Sequence, residues 1–171
     1  LRFFLSDRRP PPWNQWPEIA WRDRAAPAHV GDLPHTWIAA EYVLAVRSLF
    51  AYEREADQSL VLAAGLAPEW LDGAGVQVTG MPTERGSLSY SLRRVDAGTL
   101  RFEIGGSSAG GGGASGGGPG SGDLRGKMVL RPPLPAALRA VTVDGSPHSQ
   151  FDAESITLAG PAALVVCTVG S

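Results

Sequence analysis

Gly31-Asp32-Leu33-Pro34-His35-Thr36-Trp37 opens a long apolar segment that runs on to Tyr52. The residue types at its start predict a helix. Asp32 suits an N-cap, and Pro34 suits the first turn, where its missing N–H costs nothing. His35 then falls in that first turn, near the positive end of the helix dipole. Beyond it, Ile38, Tyr42, Ala45, Val46, Leu49 and Phe50 recur at helical spacing. Ala39, Ala40, Val43 and Leu44 fill much of the opposite side. A helix apolar nearly all round expects burial on more than one face. One small sheet cannot supply that. The segment therefore expects further helices, outside this stretch, to cover its other faces. Glu53-Arg54-Glu55 is expected to close it, with Asp57 just beyond.

Towards the N-terminus, Leu1 to Arg9 reads as the end of a helix, with Leu1, Phe4 and Leu5 on one face. Pro10-Pro11-Pro12 stops it by removing donors and forcing the preceding residue out of helical geometry. Trp13, Trp16 and Trp21 follow, interleaved with Asn14, Gln15, Glu18, Arg22, Asp23 and Arg24. Flat indole faces stack on the C–H faces of sugar rings, while Asn, Gln, Glu and Arg reach hydroxyls. That combination suits carbohydrate. The alternative is that the tryptophans bury the loop against the helix or against further barrel helices.

Towards the C-terminus the period changes. Leu60-Val61-Leu62 and Val76-Gln77-Val78 read as short strands, with a helical turn at Pro68-Glu69-Trp70-Leu71 stopped by Gly73. Ser87 to Leu92 alternates strictly, placing Leu88, Tyr90 and Leu92 inward. Asp96-Ala97-Gly98 turns it, and Leu100, Phe102 and Ile104 answer with the same alternation, which makes a hairpin. Val129-Leu130-Arg131, Leu138 to Val143 with a turn at Asp144-Gly145, Ser155 to Leu158 and Ala163 to Val169 complete the set. Seven or eight short strands with frequent turns suggest an antiparallel β-sandwich. Gly105 to Gly122 is almost wholly Gly, Ser and Ala and reads as a flexible loop, whose deletion should shift the melting temperature little. It lacks the strand–loop–helix setting of a phosphate-binding loop.

The chain has 171 residues and a formal net charge of −2, so nothing in its charge points to nucleic acid or an anionic membrane surface. No run of about 20 uncharged apolar residues exists, and a membrane span is not expected. The single cysteine, Cys167, lies in an apolar run and reads as a small buried hydrophobe. No disulfide framework, metal-type Cys/His spacing or cofactor motif is present, so no metal and no cofactor are expected. For localisation, secreted or periplasmic is favoured over cytoplasmic.

Three groups of residues carry a family resemblance. They are Trp13-Asn14-Gln15-Trp16-Pro17-Glu18, then Gly31 to Tyr42, and then Gly86 to Arg94 with Leu130 to Pro135 and Val141 to Gly145. In order and spacing they resemble the C-terminal end of (α/α)6-barrel glycoside hydrolases, particularly the α-L-rhamnosidase-like and related bacterial groups. Some large proteins with such barrels also carry discoidin-like modules, of which this chain shows no clear example. The resemblance implies an α+β chain in which residues 1–55 come from the catalytic barrel and residues 56–171 form a C-terminal antiparallel β-sandwich. It implies two partners, the N-terminal remainder of the protein and an oligosaccharide or glycoside. The expected activity belongs to the longer chain, with this portion inactive alone. The alternative is a stand-alone carbohydrate-binding or structural β-sandwich module.

Inverting glycoside hydrolysis needs an acid and a base about 6.5–9.5 Å apart. In barrels like these, late loops often supply the base, which makes Glu18 the best candidate here. Its rivals are Asp32 and Glu41. Against a catalytic role, Glu18 could pair with Arg22 or Arg24, Asp32 could be only a helix cap, and Glu41 only a buried structural partner. The candidate substrate-binding residues are Trp13, Asn14, Trp16, Trp21, Asp32, His35 and Trp37. For His35, a hydrogen bond that closes the loop is the competing role. No partner acid can be named within these residues.

Overall fold

The structure is a computed structural model and describes residues 1–171 except 7, 10–11, 22, 24–28, 106–123, 161–163 and 171. The chain is α+β, and its residues divide into two compact units, Leu1–Ser48 and Leu49–Ser171.

In the first unit, α1 spans Arg2–Ser6. Residues Pro10 and Pro11, expected to stop it, lie outside the described residues. The second helix, α2, spans Thr36–Phe50 and carries the chain into the second unit. Asp32 is therefore not its N-cap. Residues 32–34 form bends, with a cis Leu33–Pro34 peptide, and His35 takes the place just before the helix. The His35 carbonyl accepts the Ala39 N–H at 3.4 Å. Asp32 is held back by backbone pairing: Glu18 N–H donates to its carbonyl at 3.0 Å, and Ile19 N–H to the Val30 carbonyl at 3.0 Å. The Asp32 carbonyl is thus engaged across the loop and not by the first turn of a helix. No residue of α2 is buried. Val43 is 63% exposed and Trp37 69%.

The far end of α2 also differs from expectation. The helix stops at Phe50, and Ala51–Arg54 forms a strand, β1, where Glu53-Arg54-Glu55 was expected to close the helix. This strand pairs antiparallel with β2, Ser59–Leu62, all four residues of which are buried. Pairing with a fully buried neighbour outweighs the helix preference of Glu and Arg, because β2 would otherwise lose ladder bonds away from water. Asp57 locks the connection. Its carboxylate accepts two hydrogen bonds from Arg54, both at 2.8 Å, one from Lys127 at 2.6 Å and one from Ser59 at 2.7 Å.

The remaining strands are β3 (Val76–Thr83), β4 (Gly86–Asp96), β5 (Thr99–Ile104), β6 (Met128–Leu130), β7 (Leu138–Val143), β8 (Ser146–Pro147), β9 (Ile156–Leu158) and β10 (Leu164–Val169). One sheet has the order β1-β2-β6-β9 and the other β3-β4-β5-β10-β7-β8. Every pairing is antiparallel except β2 with β6. The expected β4–β5 hairpin is present, with Leu92 opposite Phe102 and Tyr90 opposite Ile104. Its turn is fixed by the Asp96 carboxylate, which accepts the Gly98 N–H at 2.9 Å. Asp144 and Gly145 turn β7 into β8 with positive φ at both residues, 49° and 81°, the pattern of a two-residue hairpin loop.

Alternation decides the core. Leu88, Tyr90, Leu92, Leu100, Phe102 and Ile104 all point inward and are buried. They join Leu60, Leu62, Met128, Leu130 and Ile156 of the other sheet in one continuous cluster. Cys167 is fully buried in β10, and its surroundings push the thiol pKa up to about 11. Tyr90 is also pushed up by burial, and its hydroxyl donates to the Phe50 carbonyl at 2.9 Å. Residues 106–123, which hold nearly all of the Gly-rich stretch, lie outside the described residues.

Candidate functional site

The residues singled out from the sequence all fall in the first unit. Two backbone segments position them. Residues 16–19 run beside residues 30–35, held by the Glu18–Asp32 and Ile19–Val30 bonds and by the His35 N–H, which donates to the Trp16 carbonyl at 2.9 Å. The pairing brings Glu18, Asp32 and His35 together. One ligating atom from each lies within 4.8 Å of the others. Glu18 and Asp32 are exposed and His35 is half-buried. The Glu18 carboxylate accepts the Asp32 N–H at 3.2 Å, so it lies along the loop that leads to α2.

Gly31 makes this arrangement possible. Its φ is +66°, a left-handed conformation that favours glycine. A Cβ there would collide with the Glu18 Oε2 and come within 2.7 Å of the Glu18 Cβ. The carboxylate occupies the space that any other residue would fill.

The tryptophans separate into two kinds. Trp13 and Trp37 are free surfaces, 68% and 69% exposed. The Trp37 indole N–H donates to Glu41 at 3.2 Å, so Glu41 is an exposed partner of Trp37 and not a buried structural pair. Trp16 and Trp21 hold the loop together. Trp16 stacks on Tyr42 at 5.0 Å, lies under the Arg8 guanidinium at 5.6 Å, and donates its indole N–H to the Phe4 carbonyl at 2.8 Å. The Trp21 indole N–H donates to the His29 carbonyl. Trp16 and Trp21 are thus half-buried and tied to neighbouring groups, while Trp13 and Trp37 present exposed rings. Asn14 adopts φ 55°, a conformation Asn tolerates better than most residues. Arg22 and Arg24, the expected partners of Glu18, lie outside the described residues.

What sequence reasoning missed is the convergence of His35 on the two carboxylates. Its signal was weak: the residues are separated by a stretch of chain whose path no periodicity fixes. The second unit offers a contrasting cavity. A cleft of about 460 Å3 lies beside Arg131, Pro132, Pro133 and Leu134, with Arg131 paired to Glu154 at 3.0 Å. Among the described residues its lining has no aromatic ring, so it gives a sugar nothing to stack on. Compared with known proteins, the chain matches no protein-family model, no curated protein and no solved structure.

Proposed function

We propose that this chain is the C-terminal portion of a carbohydrate-active, glycoside hydrolase-like protein. In this reading α2 is the last helix of an (α/α)6 barrel, and the two sheets of the second unit form its C-terminal β-sandwich. The observation that carries the reading is α2 itself, which is apolar nearly all round and has no buried residue. A helix of this composition gains most of its stability from covering its apolar faces. Neighbouring barrel helices would cover Val43 and Leu44, which are 63% and 49% exposed. The exposed Trp13 and Trp37 rings and the Glu18 carboxylate provide stacking surfaces and a base for a glycoside. The partner acid comes from an earlier barrel loop, so the chain alone is inactive.

The test is the mass of the native polypeptide, read by immunoblot of the source cells with an antibody raised to the strand unit. A band several times larger than 17.9 kDa is expected. Hydrolysis assays on the full-length protein, with Glu18→Gln as the inactive variant, then follow. A single band near 17.9 kDa would refute the barrel assignment.

A second reading is a stand-alone carbohydrate-binding or structural β-sandwich module. The observation in its favour is that the strand unit closes a core of its own across both sheets. Titration with oligosaccharides distinguishes the two forms of this reading, since only a binding module shows quenching of tryptophan fluorescence.

A further inference from the structure

We infer that Glu18, Asp32 and His35 form a binding site for a divalent transition-metal cation such as Zn2+ or Mn2+. Two carboxylate oxygens and an imidazole nitrogen are the donor set that such cations take, with the open positions left to water or ligand. The three donor atoms lie within 4.8 Å of one another. Around a tetrahedral cation bound at about 2.0–2.1 Å, donors sit about 3.4 Å apart. Closing the difference needs only torsions of the Glu18 and Asp32 side chains, both of which are exposed.

Two further observations point the same way. Among the described residues, no hydrogen bond or ion pair engages the Asp32 carboxylate or the His35 ring, and no Lys or Arg pairs with Glu18. The glycine at position 31 supplies the second, since its missing Cβ is the space in which the Glu18 carboxylate sits beside the other two donors. The backbone bonds between 16–19 and 30–35 hold the two ligand segments in register before any cation arrives. That lowers the ordering cost of binding.

This site does not depend on the sugar reading. It does constrain it: Glu18 oxygens bound to a cation are not available as a base, so the two roles compete.

The test is calorimetric titration of the chelator-treated 171-residue chain with zinc chloride and, separately, manganese chloride. One cation per chain is expected for at least one of the two. Asp32→Asn and His35→Ala should each weaken binding by more than about tenfold, since even loss of a group that only orients a ligand costs about that much. His148→Ala, in the second unit with its ring at 2.8 Å from the Thr157 carbonyl, should leave it unchanged. Manganese should also broaden the His35 ring signals in the proton NMR spectrum. No saturable binding below roughly 1 mM, or binding that survives both substitutions, overturns the site. Failure of oligosaccharide binding in the same preparation would bear on the sugar reading alone.

Discussion

Replacing Tyr90 by Phe removes one oxygen from the core of the strand unit. The ring is 97% buried and lies 6.3 Å from Phe102. Its hydroxyl donates to the carbonyl of Phe50, the last residue of α2, at 2.9 Å. That carbonyl also accepts the Ala63 N–H at 2.8 Å. The substitution therefore leaves no orphaned acceptor, and ring packing is unchanged. A net hydrogen bond contributes about 0.5–1.5 kcal/mol, and the large penalties arise only when a buried partner is left unsatisfied. Tyr90→Phe should cost about 0.5–1 kcal/mol, at the low end of that range. For a chain of this size that is a fall in Tm of about 1–4 °C. Urea titration and thermal melting followed by near-UV circular dichroism read both values. A loss above about 3 kcal/mol would show that the hydroxyl does more than the single bond assigned to it. No measurable change would show that the bond to the end of α2 contributes nothing. Tyr90→Ala supplies the scale, since truncating a buried aromatic costs about 3–5 kcal/mol.

Three other outcomes follow from the same packing and hydrogen bonding. Leu92→Ala, fully buried opposite Phe102, should cost about 2–5 kcal/mol, whereas Val43→Ala on the 63% exposed face of α2 should stay within about 0.5 kcal/mol; equal losses in chemical denaturation would mean that α2 is packed. The Arg54 guanidinium, with Lys127 and Ser59, holds the Asp57 carboxyl well below the usual carboxylate range. Its contribution to stability is complete above the ordinary aspartate pKa and is lost as pH falls, because the unfolded chain binds the proton more tightly; Asp57→Asn should flatten the fall in Tm between about pH 5 and pH 3, and a slope identical to the wild type would contradict this. Cys167, with its thiol pushed up to about 11, should resist an aromatic disulfide reagent at pH 8 in the native chain and react at once in urea; stoichiometric reaction without denaturant would disprove its burial.

The strands were legible because alternation is a local signal. Leu88, Tyr90 and Leu92 must share a face once the segment is extended, and the pattern of Leu100, Phe102 and Ile104 matches it. The turn at Asp144-Gly145 was equally local, since positive φ at two successive residues favours that residue pair. Both ends of α2 depart from the local pattern for one reason. At its start, the backbone of Asp32 is taken by Glu18, 14 residues away. At its end, Ala51–Arg54 is captured by β2, whose need for a partner outweighs helix propensity.

The same distinction runs through the site. The residue types alone marked Glu18, Asp32, His35 and the tryptophans, because carboxylates, imidazole and indole each carry a recognisable chemistry wherever they stand. Which of them meet was settled only by the pairing of residues 16–19 with 30–35 and by the space that Gly31 leaves open. Likewise, Trp16 and Trp21 differ from Trp13 and Trp37 only in what lies beside them. Sequence determined the alternating strands and the chemical inventory, since both follow from side chains and their immediate neighbours. Tertiary structure decided the helix boundaries and the convergence of the site, since both depend on hydrogen bonds between segments distant along the chain.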